Sequence, residues 1–143
     1  MEPTHTSLHC LVYISSATHE FSPEELNEIL AKSRVNNSDL GVTGMLIYSA
    51  GNIIQVLEGK KDAINNLLSR IDRDGRHFGL IKLIDKPIEN RSFGEWSMGF
   101  RAIKTKDAEG FKNISQSSEF FKDNTVTDEI IADILKDFVK NNS

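Results

Sequence analysis

Residues 42–59 have the sequence VTGMLIYSAGNIIQVLEG, which is rich in residues that favour strands. Two runs rich in β-branched and other apolar residues, 42–49 and 52–58, are separated by the short connection Ala50-Gly51-Asn52. This pattern predicts two strands joined by a tight connection. The first run is apolar at every position from 45 to 48. Apolar side chains on both sides of a strand are typical of a sheet that is covered on both faces.

The sequence on either side of this stretch predicts two helices and three further strands. Ser22-Pro23-Glu24-Glu25 is a helix start, with Ser as the N-cap, Pro at the first helical position and Glu three residues after the cap. Gly41 ends this helix. The second helix opens at Gly59-Lys60-Lys61-Asp62 and closes at Gly75. The additional strands are expected over 8–14, 80–84 and 97–103.

The order of these elements predicts a βαββαββ chain, and hence an α+β sandwich of the ferredoxin-like type. We expect a mixed five-stranded sheet with two helices on one face. The two strand–helix–strand crossovers lead us to expect that the first and third strands are parallel neighbours. Both helices would then run in the same direction, which would place the basic residues that end the second helix at the same end of the domain as Asn37.

The chain divides at Lys104 into a domain over 1–104 and a C-terminal helical extension over 105–143. A polar connector over 115–119 precedes a last helix that Thr127 could cap. The apolar stripe of this helix is formed by Ile130, Ile131, Ile134, Leu135, Phe138 and Val139. We expect the helix to cover the other face of the sheet, or to join a second subunit there.

Composition narrows the class of protein. The 143 residues suffice for one domain, and the net charge of −4 argues against nucleic-acid binding. No apolar stretch approaches the length of about 20 residues that spans a bilayer, so no membrane association is expected. A single cysteine, Cys10, and a start without a secretory pattern indicate a cytoplasmic protein. His5 and His9 have the spacing of a helical metal pair, but no carboxylate or thiol cluster joins them, so no metal is expected.

Gln55 is a polar residue on an apolar strand face. It shares this face with Ile53 and Leu57, where an unpaired amide would cost about 1–3 kcal/mol. A primary amide carries a donor and an acceptor and can turn over to exchange them, so a reversible hydrogen-bond switch is one interpretation. A bond to a neighbouring backbone group or to water is the other. Three more side chains can face the same layer, although each could also be plain core: Tyr13, Trp96 and Met98.

Polar side chains end the first helix, and basic side chains end the second. The first set is Ser33, Asn36 and Asn37, and the second is Arg70, Arg73, Arg76 and His77. Helix capping and the helix dipole explain such residues equally well. Together they also suggest a slot with apolar walls, amides at one edge and Arg forks for a phosphate. A flat heteroaromatic ligand with a phosphate tail would fit it. No nucleophile–base pair accompanies these residues, which argues against hydrolytic catalysis.

Six segments of the chain, read together, resemble the BLUF family of blue-light sensors that use flavin. The likeness covers roughly residues 7–103, with the segments in the family's order and spacing. They are Leu11-Val12-Tyr13-Ile14-Ser15, Ser33-Arg34-Val35-Asn36-Asn37, Gly41-Val42-Thr43-Gly44-Met45-Leu46, Gln55-Val56-Leu57-Glu58-Gly59, Arg70-Ile71 with Asp74-Gly75-Arg76-His77, and Trp96-Ser97-Met98-Gly99-Phe100.

The resemblance implies an FAD held between the two crossover helices. By matching position, Tyr13 is the electron and proton donor to the excited flavin, and Gln55 is the switch residue bonded to the flavin ring. Trp96 and Met98 relay the change to the sheet. The remaining cofactor contacts implied by the resemblance are Ser33, Asn36, Asn37, Arg70, Ile71, Arg76 and His77.

The function expected from the resemblance is a blue-light photoreceptor rather than an enzyme. Its output would pass by protein–protein contact to an unidentified downstream signalling protein, and a homo-oligomer is expected. The alternative is a small hydrolase of acylphosphatase type, because that fold also pairs Arg with Asn to bind a phosphoryl group. A flavin oxidoreductase is a third and weaker interpretation, since nothing in the sequence marks a nicotinamide or substrate site.

Overall fold

The computed structural model describes residues 8–94, 98–102 and 129–141. It has the βαββαββ order that the sequence predicts, followed by a further helix. The elements are β1 (Leu8–Ala17), α1 (Pro23–Leu40), β2 (Thr43–Ser49), β3 (Asn52–Lys60), α2 (Lys61–Asp72), β4 (His77–Pro87), β5 (Gly99–Ala102) and α3 (Glu129–Asn141). The strands form one five-stranded sheet in the order β4-β1-β3-β2-β5. Among the described residues, no helix has the length and apolar content needed to cross a membrane.

The two central strands, β1 and β3, are antiparallel, so the expectation that they are parallel is wrong. Their register runs from Leu8 opposite Lys60 to Ser16 opposite Asn52. A strand–helix–strand crossover makes β1 parallel to β2, and the β2–β3 hairpin then reverses the chain. The same logic makes β3 parallel to β4, since both are antiparallel to β1. In this mixed sheet β2 and β5 are the neighbours that pair in parallel.

This correction changes the direction of the helices. Because α1 follows β1 and α2 follows the oppositely directed β3, the two helices run antiparallel to each other on the sheet. The C-terminal end of α2 therefore lies beside the N-terminal half of α1, and not at the end where Asn37 lies, as the sequence analysis expected. Asn37 and the basic residues Arg70, Arg73 and Arg76 nevertheless line one cavity between the two helices.

The ends of α1 follow the capping signals in the sequence. The side chain of Ser22 accepts from the backbone N–H of Glu25 at 3.2 Å, and the carboxylate of Glu25 accepts from the N–H of Ser22 at 3.1 Å. At the other end Gly41 has φ 69°, the left-handed conformation that glycine adopts without strain. The predicted capping box and the predicted stop at Gly41 are both confirmed.

The β2–β3 hairpin turns through Ala50 and Gly51, which have φ values of 47° and 95°. Positive φ at both central residues of a two-residue loop is the turn geometry that matches the right-handed twist of the strands. Farther along the ladder, a Cβ at Gly44 would lie 1.9 Å from the carbonyl oxygen of Val56. Only glycine fits at that position of β2.

The sheet separates two apolar layers. The inner layer lies under α1 and α2 and contains Tyr13, Ile53, Leu57 and Met98, together with Leu26, Leu30, Ile64 and Leu67 of the helices. The outer layer is formed by Cys10, Val12, Met45, Ile47, Ile54, Val56, Phe93, Ile131 and Leu135. Strand β2 contributes to both layers, as its continuous apolar run predicts.

Helix α3 covers the outer face, so the predicted C-terminal cover is confirmed. Ile131 and Leu135 are buried against the sheet, and Ile134, Phe138 and Val139 pack beside them. Ile130 does not belong to this contact, because it is 56% exposed. The predicted N-cap of α3, Thr127, and the polar connector over 115–119 lie outside the described residues.

Candidate functional site

The centre of the site is a pair of polar side chains on the two central strands. Tyr13 of β1 and Gln55 of β3 are direct Cα partners in the antiparallel ladder. Their side chains are 3% and 4% exposed, and both point into the inner layer. The Tyr13 hydroxyl donates a hydrogen bond to Oε1 of Gln55. Burial, reinforced by the nearby carboxylate of Asp74, raises the pKa of Tyr13, so its phenol remains a protonated donor at neutral pH.

The other half of the Gln55 amide contacts Met98. Nε2 of Gln55 donates to Sδ of Met98 at 3.4 Å, and Met98 is fully buried immediately before β5. The backbone carbonyl of Met98 in turn accepts from Nε of Arg34 at 3.0 Å, which ties this point of the chain to α1. Both polar atoms of the Gln55 amide are thus engaged by the protein. Trp96, the other predicted relay residue, lies outside the described residues.

A cavity of about 450 Å³ lies in the groove between α1 and α2, with Gln55 in its wall. This volume lies in the range of small-molecule and cofactor sites. It brings together most of the residues that the sequence analysis assigned to the ligand: Ser33, Asn36, Asn37, Gln55, Arg70, Ile71 and Arg76. Asn37 is 1% exposed, and Ile29 and Leu67 supply apolar wall.

A smaller cavity of about 70 Å³ adjoins the first and reaches the Tyr13–Gln55 pair. His77 lines this cavity rather than the larger one, and Nε2 of its ring bonds to the carbonyl oxygen of Ile71 at 2.6 Å. Nδ1 of His77 and the hydroxyl of Ser15 are buried with no hydrogen-bond partner among the described residues. Buried polar atoms normally have partners, so a ligand or water in this cavity would supply bonds to these two atoms.

The charge in the larger cavity is predominantly positive. Lys32, Arg70, Arg73 and Arg76 line it together with one carboxylate, Asp74. Asp74 and Arg76 form an ion pair, with Nη2 of Arg76 2.7 Å from Oδ2 of Asp74. The hydrogen bonds from Arg76 lower the pKa of Asp74 to about 2. The other three cationic side chains, those of Lys32, Arg70 and Arg73, suit a phosphate-bearing ligand.

Sequence reasoning missed three residues of this site. Lys32 precedes the predicted Ser33 by one position, and Asp74 stands two residues before Arg76 in the turn after α2. Ser15 lies two residues after Tyr13 on the same strand face, so period-two alternation could have placed it in the site. Asp74 has no comparable signal, because an acidic residue in a turn is usually exposed to solvent. Among the described residues, no group of three or more His, Cys, Asp or Glu side chains is placed to hold a metal.

Comparison with known proteins gives one consistent family. The family model described as "Sensors of blue-light using FAD" (BLUF) matches residues 8–99. The photoactivated adenylate cyclase subunit beta of Euglena longa is 37% identical to this chain over 94 residues. That match covers 65% of this chain but 11% of the cyclase subunit, so the chain spans about a tenth of the length of this relative.

Solved structures agree with the sequence comparison. The dark-state structure of BlrB, a BLUF protein, superposes with a TM-score of 0.66 and 30% identity, and the match covers 78% of this chain and 87% of BlrB. The structure of Klebsiella pneumoniae BlrP1 with FMN and cyclic diGMP superposes with a TM-score of 0.68 and 25% identity. In that case the match covers 93% of this chain and 34% of BlrP1.

Proposed function

The chain belongs to the BLUF family of blue-light sensors, and we propose that Tyr13 and Gln55 form its photoactive switch beside a bound FAD. The observation that carries this proposal is the arrangement of the Gln55 amide. Its oxygen accepts from Tyr13 and its nitrogen donates to Met98, and the same side chain forms part of the wall of the cavity between α1 and α2. Gln55 can exchange a donor for an acceptor, and it contacts both the cavity and Met98.

The residues around the two cavities fit a flavin. Asn37 and Ser33 can bond the polar edge of the ring, and the cations Arg70 and Arg73 can hold the phosphates of the tail. The buried atoms of Ser15 and His77 described above would gain partners. We propose FAD rather than FMN because the description of the matching family specifies FAD and because the three cationic side chains other than the paired Arg76 suit more than one phosphate. Chromatography of the cofactor released by denaturing the protein distinguishes the two.

A bound flavin that absorbs blue light supplies the oxidant for the photocycle. Tyr13 gives up one electron and its O–H proton, and both return when the cycle closes, so no substrate is consumed. While Tyr13 lacks its proton, Oε1 of Gln55 has lost its donor, and the amide is free to turn over. The turned amide presents its NH₂ group where its oxygen stood. Gln55 thus carries the change in hydrogen bonding that outlasts the light.

We propose that this chain senses light without a catalytic activity of its own. The adenylate cyclase subunit that it resembles is about nine times longer than the matched region, and the family match to blue-light sensors covers residues 8–99 of this chain. Output would pass by contact with a downstream protein or a second copy of this chain, in the cytoplasm. The acylphosphatase-like hydrolase gains no support from the family match, which is to blue-light sensors over residues 8–99.

A light-minus-dark absorption spectrum of the purified, flavin-loaded protein tests the proposal. We expect a yellow protein whose flavin absorption shifts reversibly to longer wavelength under blue light and returns in darkness. A flavin-loaded protein that shows no reversible shift would contradict it. Colourless protein that hydrolyses acyl phosphates would favour the hydrolase instead.

A further inference from the structure

A buried carboxylate on the switch strand holds the chain segment that precedes Met98. Glu58 is three residues after Gln55 on β3 and therefore lies on the opposite, outer face of the sheet, where it is 1% exposed. Its Oε2 accepts from the backbone N–H of Ser92 at 2.7 Å, and its Oε1 accepts from the N–H of Phe93 at 2.8 Å. Each carboxylate oxygen thus holds one peptide group of the segment.

Arg91 fastens the same segment at a second point. Its Nη1 donates to the Thr43 hydroxyl at 2.8 Å and to the backbone carbonyl of Glu58 at 3.0 Å, and its Nη2 donates to the carbonyl of Gly41 at 2.8 Å. The Thr43 hydroxyl is also 3.4 Å from Oε1 of Glu58. Residues 91–93 are therefore attached to the start of β2 and the end of β3. This attachment, formed by Glu58 with residues 91–93, is called the Glu58 clamp below.

The Glu58 clamp lies between the switch and the C-terminal helix. Phe93 is 1% exposed and belongs to the same outer apolar cluster as Ile131 of α3. Glu58, Ser92 and Ile131 also line a common cavity on this face. On the other face of the same strand, Gln55 contacts Met98, which follows Phe93 by five positions in the chain.

We propose that Glu58 is a positioning residue that transmits the change at Gln55 to α3. This inference rests on the proposed photosensor function. A shift of β3 at Gln55 moves Glu58 with the strand, since the two residues are three positions apart on the same strand. Because both carboxylate oxygens are bonded to peptide groups, Ser92 and Phe93 must follow. The Phe93 ring then displaces its neighbour Ile131, and the helix that covers the outer face changes its packing.

The Glu58→Gln variant separates this role from simple packing. Glutamine keeps the shape of the side chain but offers one acceptor oxygen, so its NH₂ group must face the N–H of Ser92 or Phe93 and one bond is lost. Glu89→Gln is the matched control, because it makes the same change on an exposed carboxylate two residues before Arg91. The readout is hydrogen exchange of the flavin-loaded full chain, measured by mass spectrometry in light and in darkness, together with the absorption shift.

We expect Glu58→Gln to keep the light-induced absorption shift while most of the light-minus-dark exchange difference over 129–141 is lost, because one of the two bonds that hold the segment is missing. Arg91→Met should reduce the same difference, and it supplies the test if Glu58→Gln does not fold. Glu89→Gln should behave as the unmodified chain does. A clamp that only stabilises the fold would raise exchange equally in light and darkness and leave the difference intact, which would overturn the inference.

Other outcomes distinguish this inference from the function beneath it. If the unmodified protein shows the absorption shift but no light-dependent exchange in α3, the relay is wrong and the sensor function stands. If Glu58→Gln folds, binds flavin and loses the absorption shift itself, the carboxylate acts on the switch and not on its output, and the relay is again wrong. If the unmodified protein shows no absorption shift, the proposed function fails first.

Discussion

Tyr13 and Gln55 stand directly opposite each other across the β1–β3 ladder, with the Tyr13 hydroxyl bonded to Oε1 of Gln55. Both belong to the interior of the sheet, because β1 and β3 are each flanked by a strand on either side. Tyr13 has Gln55 and Lys82 as its partners on the two neighbouring strands, and Gln55 has Tyr13 and Leu46, so their separation is fixed by the sheet on both sides. A switch that depends on one hydrogen bond needs such support, because small displacements of the partners abolish the bond.

Replacing Gln55 with leucine should abolish the light response and spare the fold. Leucine fills similar space on the apolar face but has neither donor nor acceptor, so the Tyr13 hydroxyl loses its partner at a cost of about 1–3 kcal/mol in the free energy of unfolding. We expect flavin still to bind and the light-induced absorption shift to vanish. A normal reversible shift in this variant would rule out Gln55 as the switch.

The two tyrosines of the chain provide a matched pair of variants. Tyr13→Phe removes the hydroxyl that donates to Gln55, so we expect flavin binding without a normal photocycle. Tyr48→Phe removes a hydroxyl that accepts from the N–H of Phe21 at 2.8 Å, which should cost about 1 kcal/mol of stability and leave the photocycle intact. Transient and steady-state absorption of both variants is the measurement. If Tyr13→Phe kept the photocycle as Tyr48→Phe does, Tyr13 would be a core residue without a role in the switch.

Asn37→Ala should weaken flavin binding. Asn37 is almost fully buried in the cavity wall, and its loss would leave the polar edge of the ring desolvated. We expect the Kd for flavin to rise about five- to hundredfold, as for a lost buried hydrogen bond, or the dark spectrum to shift. Asn36→Ala is the control, because Asn36 is only partly buried and should matter less. Titration of the apoprotein with flavin decides between them, and an unchanged Kd and spectrum for Asn37→Ala would make Asn37 a helix-end residue without a ligand role.

The Asp74–Arg76 pair predicts a specific dependence of stability on pH. Arg76 lowers the pKa of Asp74 from its ordinary value of 3.8 to about 2 in the folded protein. A depressed carboxyl pKa stabilises the fold above the unfolded-state value, and that contribution is lost as the pH falls toward the folded-state value. We therefore expect Asp74→Asn to flatten the fall of Tm between pH 3.8 and about 2. Asp62→Asn, on the exposed first turn of α2, should keep the slope of the unmodified protein.

Two adjacent isoleucines test how α3 is held. Ile131 is 2% exposed against the sheet, whereas Ile130 is 56% exposed. Ile131→Ala should destabilise the packing of α3 by about 2–5 kcal/mol, while Ile130→Ala should change little. We expect faster hydrogen exchange over 129–141 and a greater tendency to associate in the first variant, with flavin binding retained in both. Equal effects of the two substitutions would show that α3 does not rest on the sheet through Ile131.

The elements of the fold follow from local patterns, but their directions do not. The capping box at Ser22 and the stop at Gly41 mark α1 because capping is local chemistry. The crossovers alone do not set the relative direction of β1 and β3, because the hairpin at Ala50-Gly51 reverses the chain between β2 and β3. Strand β4 extends beyond the predicted range of 80–84 at both ends. Its full length is hard to predict because Phe78 and Ile81 are exposed on this edge strand, so the sequence lacks clean apolar alternation.

The candidate site was predictable where a polar residue interrupts an apolar pattern. Gln55 stands out on β3 for this reason, and Asn37 stands out at the end of α1. The contact between Gln55 and Met98 was not predictable, since it joins residues 43 positions apart through the register of β5 on β2. Nor could the sequence pair Asp74 with Arg76, because nothing in a turn of alternating charge specifies which cation a carboxylate contacts.

The two hydrogen bonds of the Gln55 amide differ in strength. On the proposed mechanism, this difference makes the light-induced state revert in darkness. One partner is a phenol, a good donor to oxygen, and the other is a thioether sulfur, which is a weak acceptor and no donor. A turned amide would face that sulfur with its own oxygen, where no hydrogen bond can form. Within the protein the turned orientation is thus the costlier one, and it relaxes without a reductant or a second colour of light. The lifetime of the light-induced state should therefore depend on temperature and on which residue occupies position 98.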